Sequence, residues 1–207
     1  MGTNRLESFS DGVIAVAITL LVLGIAVPDP DHTPSLTHTL GTRWPEYAAY
    51  VISFLTIGII WINHHVMINR LREADHAILI LNLLLLMSIG LLPFATGLMA
   101  AYLQHPAGRS PAAAVYAGSF LLMAIMFLTL NRHILLRKAH MLGTDLTLAR
   151  RRQILARSAG GSIPYLIATP LAFVSAYITL AICGAVAVYY ALPVASGAAR
   201  NTGPSDL

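Results

Sequence analysis

Hydrophobic positions in this chain neither alternate nor recur at the spacing of a soluble helix for most of its length; they run together in blocks. One block opens near Phe9 and carries no charge from Gly12 to Val27, and others open near Tyr47, Ala77, Pro111 and Ser158. A run of about 18 or more apolar residues crosses a hydrocarbon layer of roughly 30 Å as a helix. The last block, Ser158 to Ala199, is uncharged throughout and has room for two helices at about 20 residues each. Six membrane helices are therefore expected, with the final break near Ser175 to Thr179. Pro164, Pro170 and Gly184 also lie in that block, and proline and glycine are tolerated inside membrane helices. Hydrocarbon offers backbone groups no partners, so the expected fold class is all-α, an integral membrane protein.

Composition strengthens this picture. The 207 residues are 57% hydrophobic and 11% charged, and the mean hydropathy is +0.70, which leaves too little charge for an ordinary soluble surface. All thirteen Lys and Arg except Arg43 and Arg109 fall on one side of a six-span arrangement. Because cytoplasmic loops carry the excess of Lys and Arg, both termini are expected in the cytoplasm of a multi-pass protein of the cell membrane. The pI near 9.5 does not point to nucleic acid, because the basic residues sit beside spans where they set topology and meet anionic head groups. Cys183 is the single cysteine, so no internal disulfide forms. The first block has an acidic residue beside its apolar core and no small-x-small site before Pro28, and it reads as a retained helix rather than a cleaved leader.

Between the spans, Pro28 to Thr42 reads as a proline-rich external loop. The second helix runs from about Pro45 to Leu71, the third from Ala77 to about Leu103 with Pro93 loosening its middle, and the fourth from about Pro111 to Leu136. The connector Ala139 to Arg157 places Leu146, Leu148, Ile154 and Leu155 among Arg150, Arg151 and Arg152, the pattern of a short amphipathic surface helix. Residues 1–195 are expected to form one six-helix unit, and 196–207 a disordered cytoplasmic tail, small and polar. No repeat occurs within the chain, so any symmetry comes from self-assembly.

Candidate chemistry gathers at the start. In Arg5-Leu6-Glu7-Ser8-Phe9-Ser10-Asp11, the aspartate sits at the edge of hydrocarbon, where an ionisable group is costly and usually functional. At about 100° per residue, Arg5, Phe9, Gly12, Val16, Leu20 and Leu23 share one stripe with Thr19 at its edge. Asp11 lies roughly 140° round the helix from Val16, so a partner facing that stripe does not face the aspartate. In the second helix Trp61, His64 and His65 share a face at the same depth. Ser10, Asp11, Trp61, His64 and Asn82 can then form a polar cluster, read either as a functional site or as the satisfaction that buried polar groups need in any protein. Histidine and aspartate are also metal-ligand types, but adjacent histidines diverge by about 100° and no metal site is expected. No GxSxG elbow, P-loop or glycine-rich dinucleotide motif is present, so no enzyme and no cofactor is expected. A proton- or metal-coupled transporter relaying through Asp11 and His64 stays open. The stripe by itself is an ordinary packing or lipid-facing row.

Arg5, Phe9, Ser10 and Asp11, followed by Gly12-Val13, resemble the first-helix signature of the transmembrane protein 175 family of potassium channels. Trp61 and His64 in the second helix, and Asn82-Leu83, Leu92-Pro93-Phe94 and Leu98-Met99 in the third, continue the resemblance in order. It implies a six-helix unit, present once in bacterial members, that assembles as a homotetramer. It also implies a central pore lined by the first helix and narrowed by apolar rings rather than by a carbonyl filter. Those rings map to Val16, Leu20 and Leu23, with Thr19 as a hydroxyl ring, and the implied function is passive, weakly selective conduction of potassium ions across the lipid bilayer. Isoleucine or leucine is common in the family where this chain has Val16, which implies a wider constriction. Arg5, Phe9, Ser10, Asp11, Trp61, His64 and Asn82 would then hold the pore helix from behind. His65 has no counterpart role there.

Overall fold

The computed structural model describes residues 3–32, 35–143 and 146–192; the expected tail, 196–207, lies outside the described residues. The described chain is helical. Its helices are α1 (Thr3–Leu20), α2 (Leu36–Thr42), α3 (Trp44–Ile68), α4 (His76–Gly90), α5 (Leu92–Tyr102), α6 (Arg109–Arg132), α7 (Leu148–Leu171) and α8 (Ala176–Ala191). Among the described residues four stretches are long and apolar enough to cross a membrane, namely Thr3–Gly24, Trp44–Ile68, His76–Tyr102 and Arg109–Arg137. The α8 helix is apolar but has 16 residues, fewer than a perpendicular span takes. The α7 helix has 24 residues and opens on a basic segment.

Local chemistry explains where the elements begin and break. The third span is interrupted at Leu91, between α4 and α5, where Pro93 falls in the first turn of the new helix and its missing N–H costs nothing. Pro164 and Pro170 stay inside α7. The chain then turns at Ala172 to Val174, and Ser175 caps α8 by accepting from the Ile178 N–H. Two expectations need correction. Part of the external loop is helical: Ser35 accepts from the His38 N–H and starts α2. The basic connector is no separate surface helix, because Thr147 caps α7 and Leu148 to Arg157 form its first turns. Leu, Ala, Arg and Gln are strong helix formers, no glycine or proline falls within Leu148 to Arg157, and α7 runs on through Gly160, Gly161 and Pro164.

The α6 helix is the hub, packed against α4, α5, α7 and α8, while α1 lies at the side against α3, α4 and α5. Lipid tails are as apolar as leucine, so close packing and buried polar contacts rather than water exclusion hold such helices together. One contact is Ser53 Oγ, 2.8 Å from Thr96 Oγ1 and 3.1 Å from the Tyr116 hydroxyl, which ties α3, α5 and α6.

The ends of the bundle differ in charge. At one end Arg43 donates to the Ala26 carbonyl at 2.6 Å and Arg109 to the Leu103 carbonyl at 2.7 Å. At the other, the turn after α3 meets the segment after α6: the Arg72 N–H donates to Met141 O and the Gly143 N–H to Arg70 O. There Lys138 bonds Asp75 at 2.7 Å. The Lys138 ammonium, and after it the Ile78 N–H that Asp75 caps, hold the Asp75 carboxyl below the usual carboxylate range. Arg43 and Arg109 thus sit together, at the end opposite Arg70, Arg72 and Lys138, which is the sidedness the basic residues predict.

Candidate functional site

The α1 helix has two unlike faces. Leu6, Ser10, Ile14, Ala17 and Leu21 recur at intervals of three and four and are buried against the subunit. Opposite them, Val16 is 57% exposed, Leu20 44% and Leu23 75%, and Arg5, Phe9, Gly12 and Thr19 share their exposure. From Leu21 to Gly24 the helix tightens to 3₁₀ geometry. Residues three apart eclipse in that geometry, so Leu23 stands over Leu20 instead of drifting off the stripe. The same turn brings Gly24 against the backbone of Gly97 in α5, where an added Cβ would lie 3.8 Å from the Gly97 Cα. Thr19, an exposed residue, donates its hydroxyl proton to the Val16 carbonyl at 2.8 Å, which leaves its oxygen to act only as an acceptor.

Behind that face the polar residues divide into two sets. The buried set is a chain of fixed direction. Ser10 Oγ donates to the Leu6 carbonyl at 2.8 Å, so it accepts from Asn82 Nδ2 at 2.9 Å. That orientation leaves Asn82 Oδ1 to accept from His64 Nε2 at 2.7 Å. The network thereby assigns the tautomer with hydrogen on Nε2. Nδ1 of His64 is buried and has no partner among the described residues. This chain ties α1, α4 and α3 at one level.

The second set lies outside it. Trp61 Nε1 donates to Asp11 Oδ1 at 2.8 Å, and one turn away His65 Nδ1 lies 2.7 Å from Glu7 Oε1. His65 is further held by Asn69 at 2.9 Å and by its ring contact with Trp61. Glu7 and Asp11 are four residues apart on α1, and Trp61 and His65 are four apart on the antiparallel α3, so the pairs make a two-rung ladder. Trp61 is 42% exposed.

The expected cluster is therefore two constellations. Ser10, His64 and Asn82 come together in one, Asp11 and Trp61 in the other, and Arg5 and Phe9 stay exposed and join neither. Glu7 was missed, and His65 takes the role of its partner. The matching intervals of four on the two helices are the signal that pairs them, but only once the helices are known to run antiparallel. Among the described residues no group of His, Cys, Asp and Glu is placed to hold a metal ion.

Fold and site define an all-helical membrane protein whose first span is clamped on one face and uncovered on the other. Residues 5–93 match the family model described as the endosomal/lysosomal potassium channel TMEM175. A potassium channel of Streptomyces collinus is 45% identical over 188 residues, 91% of this chain and 91% of that protein. One of Chamaesiphon minutus is 41% identical over 198 residues, covering 92% and 94%. The crystal structure of a lysosomal potassium-selective channel TMEM175 homolog from Chamaesiphon minutus superposes with a TM-score of 0.80 at 40% identity, over 91% of this chain and 96% of that one. The human endosomal/lysosomal proton channel TMEM175 is 32% identical over 163 residues, 75% of this chain and 32% of that protein. The chain belongs to the TMEM175 family.

Proposed function

We propose that the protein is a passive cation channel of the cell membrane, weakly selective for potassium, in which four copies surround a pore lined by α1. Each copy contributes six spans, with both termini in the cytoplasm. The observation that carries this reading is the uncovered face of α1. A helix held by Ser10, Ile14, Ala17 and Leu21 presents Val16, Leu20 and Leu23 in register on its far side. Fourfold symmetry would close that row into three apolar rings.

Such rings gate by dewetting, and a partly hydrated cation crosses them with little compensating coordination. The lower dehydration cost of potassium then favours it over sodium by a modest margin. Thr19, its proton committed to Val16 O, adds a ring of oxygen lone pairs between the first two constrictions. Val16 is the smaller side chain and makes the wider ring. Enzyme chemistry has no part in this reading, and a relay through Asp11 and His64 finds no support in the bonding, since Asp11 engages Trp61 and His64 engages Asn82.

Bilayer recordings of the full chain, with sodium as the comparison ion, test the proposal. Single-channel steps are expected, and Leu23→Ala or Val16→Ala should raise conductance or lower the preference for potassium. Unchanged currents in both variants would remove α1 from the pore. Saturable coupled flux without steps would make the protein a carrier instead. Because the mammalian relatives are named proton channels, proton flux in the same vesicles is the natural second measurement.

A further inference from the structure

A crevice unconnected with α1 opens between α3, α6, α7 and α8, with a volume of about 520 Å³. Its depth is apolar, walled by Ile59, Met123, Phe127 and Val186, while Arg70, Arg150 and Arg157 stand along its lining with no Asp or Glu among the described lining residues. We propose that this crevice binds one anionic phospholipid, its phosphate on the three arginines and an acyl chain in the apolar depth.

Three observations converge on that occupant. Arg70 and Arg150 are close enough for burial and the neighbouring cation to push the Arg70 guanidinium below its usual value, a repulsion that a phosphate between them relieves. Asn131, 3% exposed, lies in the wall. Its Nδ2 donates to Ser158 Oγ at 3.0 Å, which itself donates to the Ile154 carbonyl, so the orientation of the amide is fixed. Asn131 Oδ1 then remains buried with no partner among the described residues, an acceptor suited to a head-group hydroxyl. Finally, the arginines sit at the Arg-rich end of the bundle, where anionic lipid is met under the positive-inside rule. A soluble phosphate would use the arginines but not the apolar depth, and a lipid uses both. Phosphatidylglycerol, with a phosphodiester and free hydroxyls, matches the whole lining.

The test is native mass spectrometry of the full chain titrated with phosphatidylglycerol or phosphatidylcholine. Retention of phosphatidylglycerol over phosphatidylcholine is expected. Replacing Arg70, Arg150 and Arg157 together by Gln should weaken it by roughly fivefold per arginine, on the order of a hundredfold in all. Arg150→Glu alone, at an exposed position that does not threaten folding, should weaken it by at least about fivefold. A control with Arg72, Arg132 and Arg137 changed to Gln removes the same charge at the same end and should retain the lipid. Equal retention of both lipids by the natural protein would overturn the proposal. So would equal loss in the control, or complete displacement of phosphatidylglycerol by millimolar inorganic phosphate.

Discussion

The two polar sets behind α1 lie within two turns of each other and both reach α3, yet they are built on opposite terms. In the Ser10, Asn82 and His64 chain, the bonds run in one direction and every member is buried. In the Glu7, Asp11, Trp61 and His65 ladder, each rung borders the outside of the subunit, where water, a head group or another copy of the chain can replace a lost partner. The same helix is thus fixed by one set and only steadied by the other. A helix that lines a pore, the role proposed for α1, would benefit from both, since its register must not slip while its perimeter must accommodate a neighbour.

The largest expected effect breaks the buried set. Asn82→Leu removes the group that bonds two others, and His64, whose Nδ1 already has no partner among the described residues, loses its bond in a buried site. Stability against denaturing detergent, followed by helical circular dichroism, should fall by about 2 to 3 kcal/mol. Replacing both ends of a buried bond by apolar groups is far less costly than orphaning one. The double variant Asn82→Leu with His64→Leu should therefore recover part of the loss, and a further loss instead would show that His64 holds α3 by packing alone. Next in size is Asp11→Ala, expected to cost about 1 kcal/mol because the Trp61 N–H can turn to water or lipid. Asp11→Asn keeps an acceptor for that N–H and should cost less. An Asp11→Ala loss as large as that of Asn82→Leu would erase the distinction between the sets.

The sequence makes one of these sets far easier to read than the other. Ser10, Asn82 and His64 are polar residues within apolar blocks, and burial obliges such groups to find one another. Asp11 and Trp61 were legible for the same reason. Glu7 and His65 lie where a polar residue needs no explanation, so their pairing becomes visible only with the crossing of α1 and α3. The apolar blocks also indicated the helices and the sidedness of the basic residues, because both depend on composition along the chain. Tightening at Leu21 to Gly24 left no such trace, since the close approach of Gly24 to Gly97 in α5 joins positions far apart in the chain. The basic start of α7 misled for a different reason: charge suggests a surface helix, but nothing in Leu148 to Arg157 stops the helix from continuing into the apolar block.

The smallest expected effect concerns the outermost rung. His65 keeps about half of its side chain exposed, at 47%, against 20% for Glu7, and exposed polar pairs of this kind contribute little, whether or not the imidazole is charged. Glu7→Gln and His65→Ala should each change stability by about 0.5 kcal/mol or less, and a double-mutant cycle should give a coupling of similar size. Salt should shrink that coupling only where the imidazole carries a proton, because screening acts on charges. His65→Ala also removes the ring contact with Trp61, so its effect should exceed that of Glu7→Gln by a small margin that salt leaves unchanged. A coupling above about 1 kcal/mol would mean that a second copy of the chain covers this rung. The ladder would then belong to the joint between subunits rather than to the perimeter of one.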